Sequence, residues 1–165
     1  MGAHTALLVA SQHPERVSRL ALVEGGVGGG ADSATDLVIS WFRSWPTPFP
    51  DAATAADYFG GGLRGRIWAS GLSPVETGLV PRFDINVLAE AIAPVHEAAA
   101  WLAWAAVRCP VLIVTGTNGY LTSQETTQML ATQGSASHEV VRGAGHDVHL
   151  DAPERLADLL EAFIR

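Results

Sequence analysis

Two short apolar runs, Ser18–Glu24 around Leu20-Ala21-Leu22-Val23 and Val111–Thr115, constrain this chain more than any other feature. Each is too short for a helix and ends at glycine, and neither alternates between apolar and polar residues. That pattern predicts strands buried on both faces of a parallel sheet. A third strand is expected over His138–Arg142. Helices are expected over Gly2–Gln12, over Ser123–Gln133 with Thr122 or Ser123 as cap, and over Pro153–Ile164 with proline in the first turn. Strands alternating with helices argue for an α/β architecture, here with only about three strands.

At 165 residues the chain suits one domain, or part of one, treated as a single unit over residues 1–165. Hydrophobic residues make up 48% and charged residues 16%, which excludes a disordered tail. A net charge of -7 leaves no excess of Lys and Arg to neutralise phosphates, so nucleic acid is not an expected partner. Cys109 is the only cysteine; it allows no internal disulfide and fits a reducing, cytoplasmic setting. No secretory signal is recognised at Met1-Gly2-Ala3-His4. The longest apolar run, Ala98 to Val107, is shorter than the roughly 20 residues that span a bilayer, so no membrane association is expected.

Between the strand-like runs the chain changes character. From Gly25 to about Val107 the chain carries a Gly-rich stretch through Gly30, glycines at Gly60–Gly62, prolines at Pro46, Pro48 and Pro50, and a concentration of tryptophan, and residues 26–107 form one distinct region. This stretch reads as short helices joined by loops: one capped by Asp32 or Ser33 and running through Trp45, one opened by Asp84 or Asn86 and running through Ile92, and one over Glu97–Val107. Gly25–Gly30 lacks the Lys-Ser/Thr pair of a phosphate loop, and a hinge is the simpler reading.

Met1-Gly2-Ala3-His4-Thr5-Ala6-Leu7, followed by Pro14-Glu15-Arg16-Val17 and Leu20-Ala21-Leu22-Val23, resembles the segment after the nucleophile elbow of α/β-hydrolases. In the elbow motif G-x-S-x-G a strand turns sharply into a helix and holds a serine hydroxyl above the sheet. Met1 and Gly2 match its last two positions, which puts the serine one residue ahead of Met1 and makes the Met1 backbone N–H an oxyanion donor. At the other end, Gly143-Ala144-Gly145-His146 before Pro153-Glu154-Arg155 is similar to the loop that presents the family's catalytic histidine. A serine hydroxyl is a weak nucleophile until an imidazole within reach accepts its proton, so His146 is the expected general base.

In most of the family the triad acid follows the strand corresponding to Val111–Thr115, as Gly, two residues, then Asp. Here Gly116-Thr117-Asn118-Gly119 puts glycine in the acid's place. Some members, including certain haloalkane dehalogenases, place the acid after the preceding core strand, where this chain has Glu24. Glu24 is therefore the expected replacement, with a solvated turn residue as its bland alternative. Asn118 is a weaker candidate to orient the imidazole, and Asp147 is expected at the surface.

The resemblance implies a partial α/β-hydrolase sheet with flanking helices and a helical lid over residues 26–107. Trp41, Trp45 and Trp68 are expected to line an apolar substrate pocket; Phe42, Phe49, Trp101 and Trp104 are further candidates, with core packing the commoner fate. No cofactor is implied, and the pair His146 and His149 lacks the partners of a metal site. The implied activity is hydrolysis of an ester or similar small acyl substrate in the parent enzyme. Without its nucleophile the chain is expected to be inactive alone; an Asp-nucleophile dehalogenase and a non-catalytic interaction partner are the alternatives. A gene start assigned at an internal Met is the favoured history, ahead of a fragment or a subunit that completes its open sheet through association.

Overall fold

The computed structural model describes residues 1–29 and 34–165. The chain forms two compact units, one from Met1–Gly30 with Val95–Arg165 and one from Ala31–Pro94. In chain order the elements begin with α1 (Gly2–Gln12), β1 (Leu20–Val23), α2 (Ala34–Arg43), α3 (Ala52–Tyr58) and α4 (Gly62–Ser70). They continue with β2 (Leu72–Val75), β3 (Gly78–Pro81), α5 (Ile85–Glu97), α6 (Trp101–Ala106) and β4 (Val111–Gly116). The last four are α7 (Ser123–Thr132), β5 (Ala136–Val141), α8 (Val148–Asp151) and α9 (Pro153–Ile164). Capping of α2 by Asp32 or Ser33 lies outside the described residues.

The first unit is an α/β layer built on a parallel sheet of order β1-β4-β5. Its central strand β4 pairs Leu20 with Val111 on one side and Val111 with Ala136 on the other. Because side chains alternate along a strand, Val111 and Ile113 join Leu7, Trp104 and Met129 in one core, and Leu112 and Val114 join Val148, Leu156 and Leu159 in another. Burying each of the aliphatic side chains is worth about 1.5–3 kcal/mol, which explains why Val111 to Val114 are all apolar. The edge strand β5 buries only Val141 and starts two residues before the expected His138.

Helix α7 begins where expected, with the Thr122 hydroxyl accepting from the Glu125 N–H at 3.1 Å. Trp104 on α6 is fully buried and donates its indole N–H to the Met129 carbonyl at 3.0 Å. It is thus a core residue of the sheet unit rather than a pocket-lining one.

The second unit packs around Trp45, Phe49, Ala55, Phe59, Ala69 and Leu72. Asp51 caps α3 by accepting from the Thr54 N–H at 2.7 Å, and Asp84 accepts from the Asn86 N–H at 2.7 Å ahead of α5. Short helices were expected throughout this region, yet β2 and β3 form an antiparallel hairpin with Leu72 opposite Pro81 and Val75 opposite Gly78. Pro74 and Pro81 disguise the hairpin in the sequence, since proline cannot donate to a ladder and survives only in such small, edge-exposed pairings. Gly78 turns it at φ 138°, where a Cβ would overlap the Phe49 carbonyl. Among the described residues no helix is long and apolar enough to cross a membrane.

Candidate active site

The C-terminal ends of parallel strands are where open α/β sheets place their ligand sites, because the following loops converge there. Three loops meet at this edge of the sheet unit. The first begins at Glu24, directly after β1. Glu24 adopts φ 46°, an uncommon conformation for a residue with a side chain, and its N–H donates to the Val114 carbonyl at 2.8 Å. Its side chain is completely buried. The cost of burying a carboxylate is offset by two backbone donors: the Gly116 N–H at 2.7 Å to Oε1 and the Tyr120 N–H at 3.0 Å to Oε2. The expected solvated-turn alternative for Glu24 is therefore overturned.

Gly119 completes that seat. A Cβ on residue 119 would overlap both carboxylate oxygens of Glu24, so only glycine leaves the space the buried side chain occupies. The next glycines are equally specific. A Cβ at Gly25 would overlap the Ala3 Cβ, and one at Gly26 would overlap the Glu125 carboxylate. Gly28 and Gly29, at φ 72° and 70°, lie against Val95 and Ala99. Over Gly25–Gly29 the expected hinge is a tightly packed turn.

The third loop carries His146. After β5, Gly143 turns at φ 78° and donates its N–H to the Thr117 hydroxyl at 2.9 Å. The Ala144 carbonyl accepts from the Asn118 N–H at 2.9 Å, and the Gly145 N–H donates to Asp151 Oδ2 at 2.8 Å. Asn118 uses its side-chain amide on the Gly143 carbonyl at 3.4 Å, bracing the histidine loop rather than the imidazole. Asp147, expected at the surface, is 8% exposed because the turn into α8 folds it inward.

These contacts leave His146 Nδ1 3.9 Å from Glu24 Oε2, with the imidazole half-exposed and its ring centroid 4.8 Å from that of Tyr120. The separation lies within ion-pair range and beyond a formed hydrogen bond. Nδ1 is the ring nitrogen nearest Glu24. Met1, His4, Glu24, Tyr120 and His146 all border a concavity of about 360 Å³. Met1 caps α1, whose first-turn N–H groups have no intrahelical partner.

The family model for the alpha/beta hydrolase family matches residues 1–159. This chain belongs to the α/β-hydrolase family. Comparison by sequence with the curated proteins found no match. Among solved structures this chain is similar to an E-2-(acetamidomethylene)succinate hydrolase, at 24% identity and TM-score 0.85 over 99% of this chain and 63% of that one. It is similar to a thioesterase domain from the curacin biosynthetic pathway, at 22% identity and TM-score 0.73 over 96% of this chain and 63% of the other. A hypothetical protein from Pseudomonas aeruginosa matches at 26% identity and TM-score 0.73, over 98% of this chain and 64% of that one. The chain therefore spans less than two thirds of the length of the structures it resembles.

The three tryptophans expected on a pocket wall do cluster, all within the second unit. Trp41, Trp45 and Trp68 have ring centroids 5.2, 5.5 and 5.9 Å apart in edge-on pairs. Trp41 and Trp68 border a concavity with Tyr58, Phe59 and Arg64, whereas Trp45 is 6% exposed and belongs to the unit's core. Phe49 is fully buried in the same core. Among the described residues no group of three or more His, Cys, Asp or Glu side chains could hold a metal. Sequence reading missed Tyr120, whose backbone N–H holds Glu24, and Glu125. The Thr122-x-x-Glu125 spacing, a helix-start signature, was the available signal for the latter.

Proposed function

We propose that this α/β-hydrolase chain supplies the base and the orienting acid of an acyl hydrolase, and that a serine presented just ahead of Met1 completes the site. The observation that carries this reading is the buried Glu24 carboxylate, held by two backbone N–H groups, facing His146 Nδ1. The names of the succinate-derivative hydrolase and the thioesterase domain, said of those proteins, suit the same class of reaction.

The serine oxygen forms a bond to the acyl carbon while His146 Nε2 takes its proton. The carbonyl becomes an oxyanion, which the Met1 N–H stabilises. The imidazolium, steadied by Glu24, then returns the proton to the departing alcohol or thiol as its bond to the acyl carbon breaks. Water repeats the sequence on the acyl-enzyme and releases an acid. The helical region over residues 26–107 is the proposed lid that selects a small apolar substrate, with Trp41 and Trp68 as its candidate pocket aromatics.

The test is to extend the chain upstream through the Gly-x-Ser of the elbow and to follow cleavage of an activated ester. Exchanging His146→Ala is expected to lower kcat on the order of a thousandfold, and Glu24→Gln on the order of a hundredfold or more. Undiminished turnover in His146→Ala, or a segment without that serine, would sink the proposal.

A further inference from the structure

The sequence Thr122-Ser123-Gln124-Glu125 has the form of a capping box, in which the glutamate side chain reaches back to the N–H of the capping residue. Here only half the box is used. The Thr122 hydroxyl accepts from the Glu125 N–H at 3.1 Å, but the Glu125 carboxylate leaves its own helix and accepts from the Val27 N–H at 3.2 Å. Gly26 opens the way, since a Cβ there would overlap that carboxylate and the Leu121 side chain.

Two carboxylates thus tie the same two loops together from opposite sides. Glu24, in the loop after β1, accepts from Gly116 and Tyr120 in the loop after β4. Glu125, at the start of α7 beyond that second loop, accepts from Val27, three residues after Glu24. The Val27 carbonyl is fixed independently by the Ala100 N–H at 2.7 Å, and the Gly29 N–H by the Val95 carbonyl at 2.8 Å. The Val27 N–H is therefore the link by which a side chain at the start of α7, just beyond the loop that seats Glu24, holds the turn that follows Glu24.

We propose that Glu125 is a positioning residue for Glu24, keeping its carboxylate seated and aimed at His146. This rests on the reading of Glu24 as the orienting acid. Its first readout needs no catalysis. In the 165-residue chain, amide hydrogen exchange at Gly116 and Tyr120 is expected to rise about tenfold in Glu125→Ala, the scale set by loss of one hydrogen bond. Exchange at Leu112 and Ile113 in β4, which reports global opening, is expected to stay within about twofold.

Glu125→Gln keeps an acceptor of the same reach and is expected to restore protection. Glu125→Asp keeps the charge but is one methylene short, and is expected to behave like the alanine variant. The aspartate variant also serves if Glu125→Ala does not fold. In the chain extended through its nucleophile, Glu125→Ala is expected to lower kcat about tenfold at unchanged KM, with Glu125→Gln rescuing it. Unchanged exchange at Gly116 and Tyr120, a uniform rise across β4, or an unaltered kcat would each overturn the proposal. An unaltered kcat in Glu24→Gln would instead overturn the reading on which it rests.

Discussion

The carboxylate of Glu24 fills the volume that any side chain on Gly119 would need, so the two positions cannot both carry an acid in this fold. In the family pattern position 119 is the acid's usual place. The absence of aspartate there and the presence of glutamate at position 24 are consequently one structural arrangement, seen from two loops.

That exclusion can be tested by moving the acid. Gly119→Asp alone is expected to destabilise the chain by about 1–3 kcal/mol through overpacking, compounded by like-charge repulsion from the buried carboxylate. Combining it with Glu24→Gly removes the overlap and the positive φ, so the double variant is expected to cost less than the sum of the two single variants. Urea unfolding of the two single variants and the double variant gives the coupling directly. Additive costs would contradict a shared volume.

The two backbone donors on Glu24 separate its packing from its charge. Glu24→Ala leaves the part-buried Gly116 and Tyr120 N–H groups without their acceptor and is expected to cost about 1–3 kcal/mol in all. Glu24→Gln retains one acceptor and is expected to cost clearly less. Denaturant midpoints of the two variants decide the order.

His138 on β5 shares a 2.8 Å hydrogen bond with the Thr115 hydroxyl, and burial lowers its pKa below the ordinary 6.5, against a smaller opposing pull from Glu139. The unfolded chain therefore binds the proton more readily than the folded one. The stability this neutral histidine contributes is present above pH 6.5 and is lost as the pH falls through its depressed folded value. His138→Leu is expected to flatten that acid limb in unfolding measured as a function of pH. An unchanged slope would assign the acid sensitivity to other groups.

Two buried tryptophans differ in what their indole N–H does. Trp104 donates to the Met129 carbonyl, whereas the Trp45 N–H is buried without a hydrogen-bond partner among the described residues. Trp104→Phe is expected to cost about 0.5–1.5 kcal/mol more than Trp45→Phe, because only the first loses a formed hydrogen bond. Either residue changed to alanine should cost about 3–5 kcal/mol through the cavity left behind. Thermal unfolding of the four variants tests the order.

Much of the frame was legible beforehand because its signals are local. The apolar run at Val111, the hydroxyl cap at Thr122 and the proline opening α9 each act within a few residues of themselves, and each marks an element found where expected. The hairpin of β2 and β3 was hidden because its prolines deny the pattern by which strands are recognised. Trp45 and Trp104 could not be told from pocket residues, since an aromatic side chain reads the same in sequence whether it faces a ligand or a core.

The sequence by itself determined an α/β frame, a histidine on a glycine loop after the last strand, and a glycine in the place usually held by the acid. Only the tertiary structure decided that Glu24 turns inward, that Gly119 makes its room, and that Glu125 abandons its own helix cap to hold the next turn. The reason is physical. The contact from Glu24 to Gly116 joins residues 92 apart, and the contact from Glu125 to Val27 joins residues 98 apart. Both depend on the parallel register that sets β1 beside β4, Val23 against Val114, and so on where each following loop emerges.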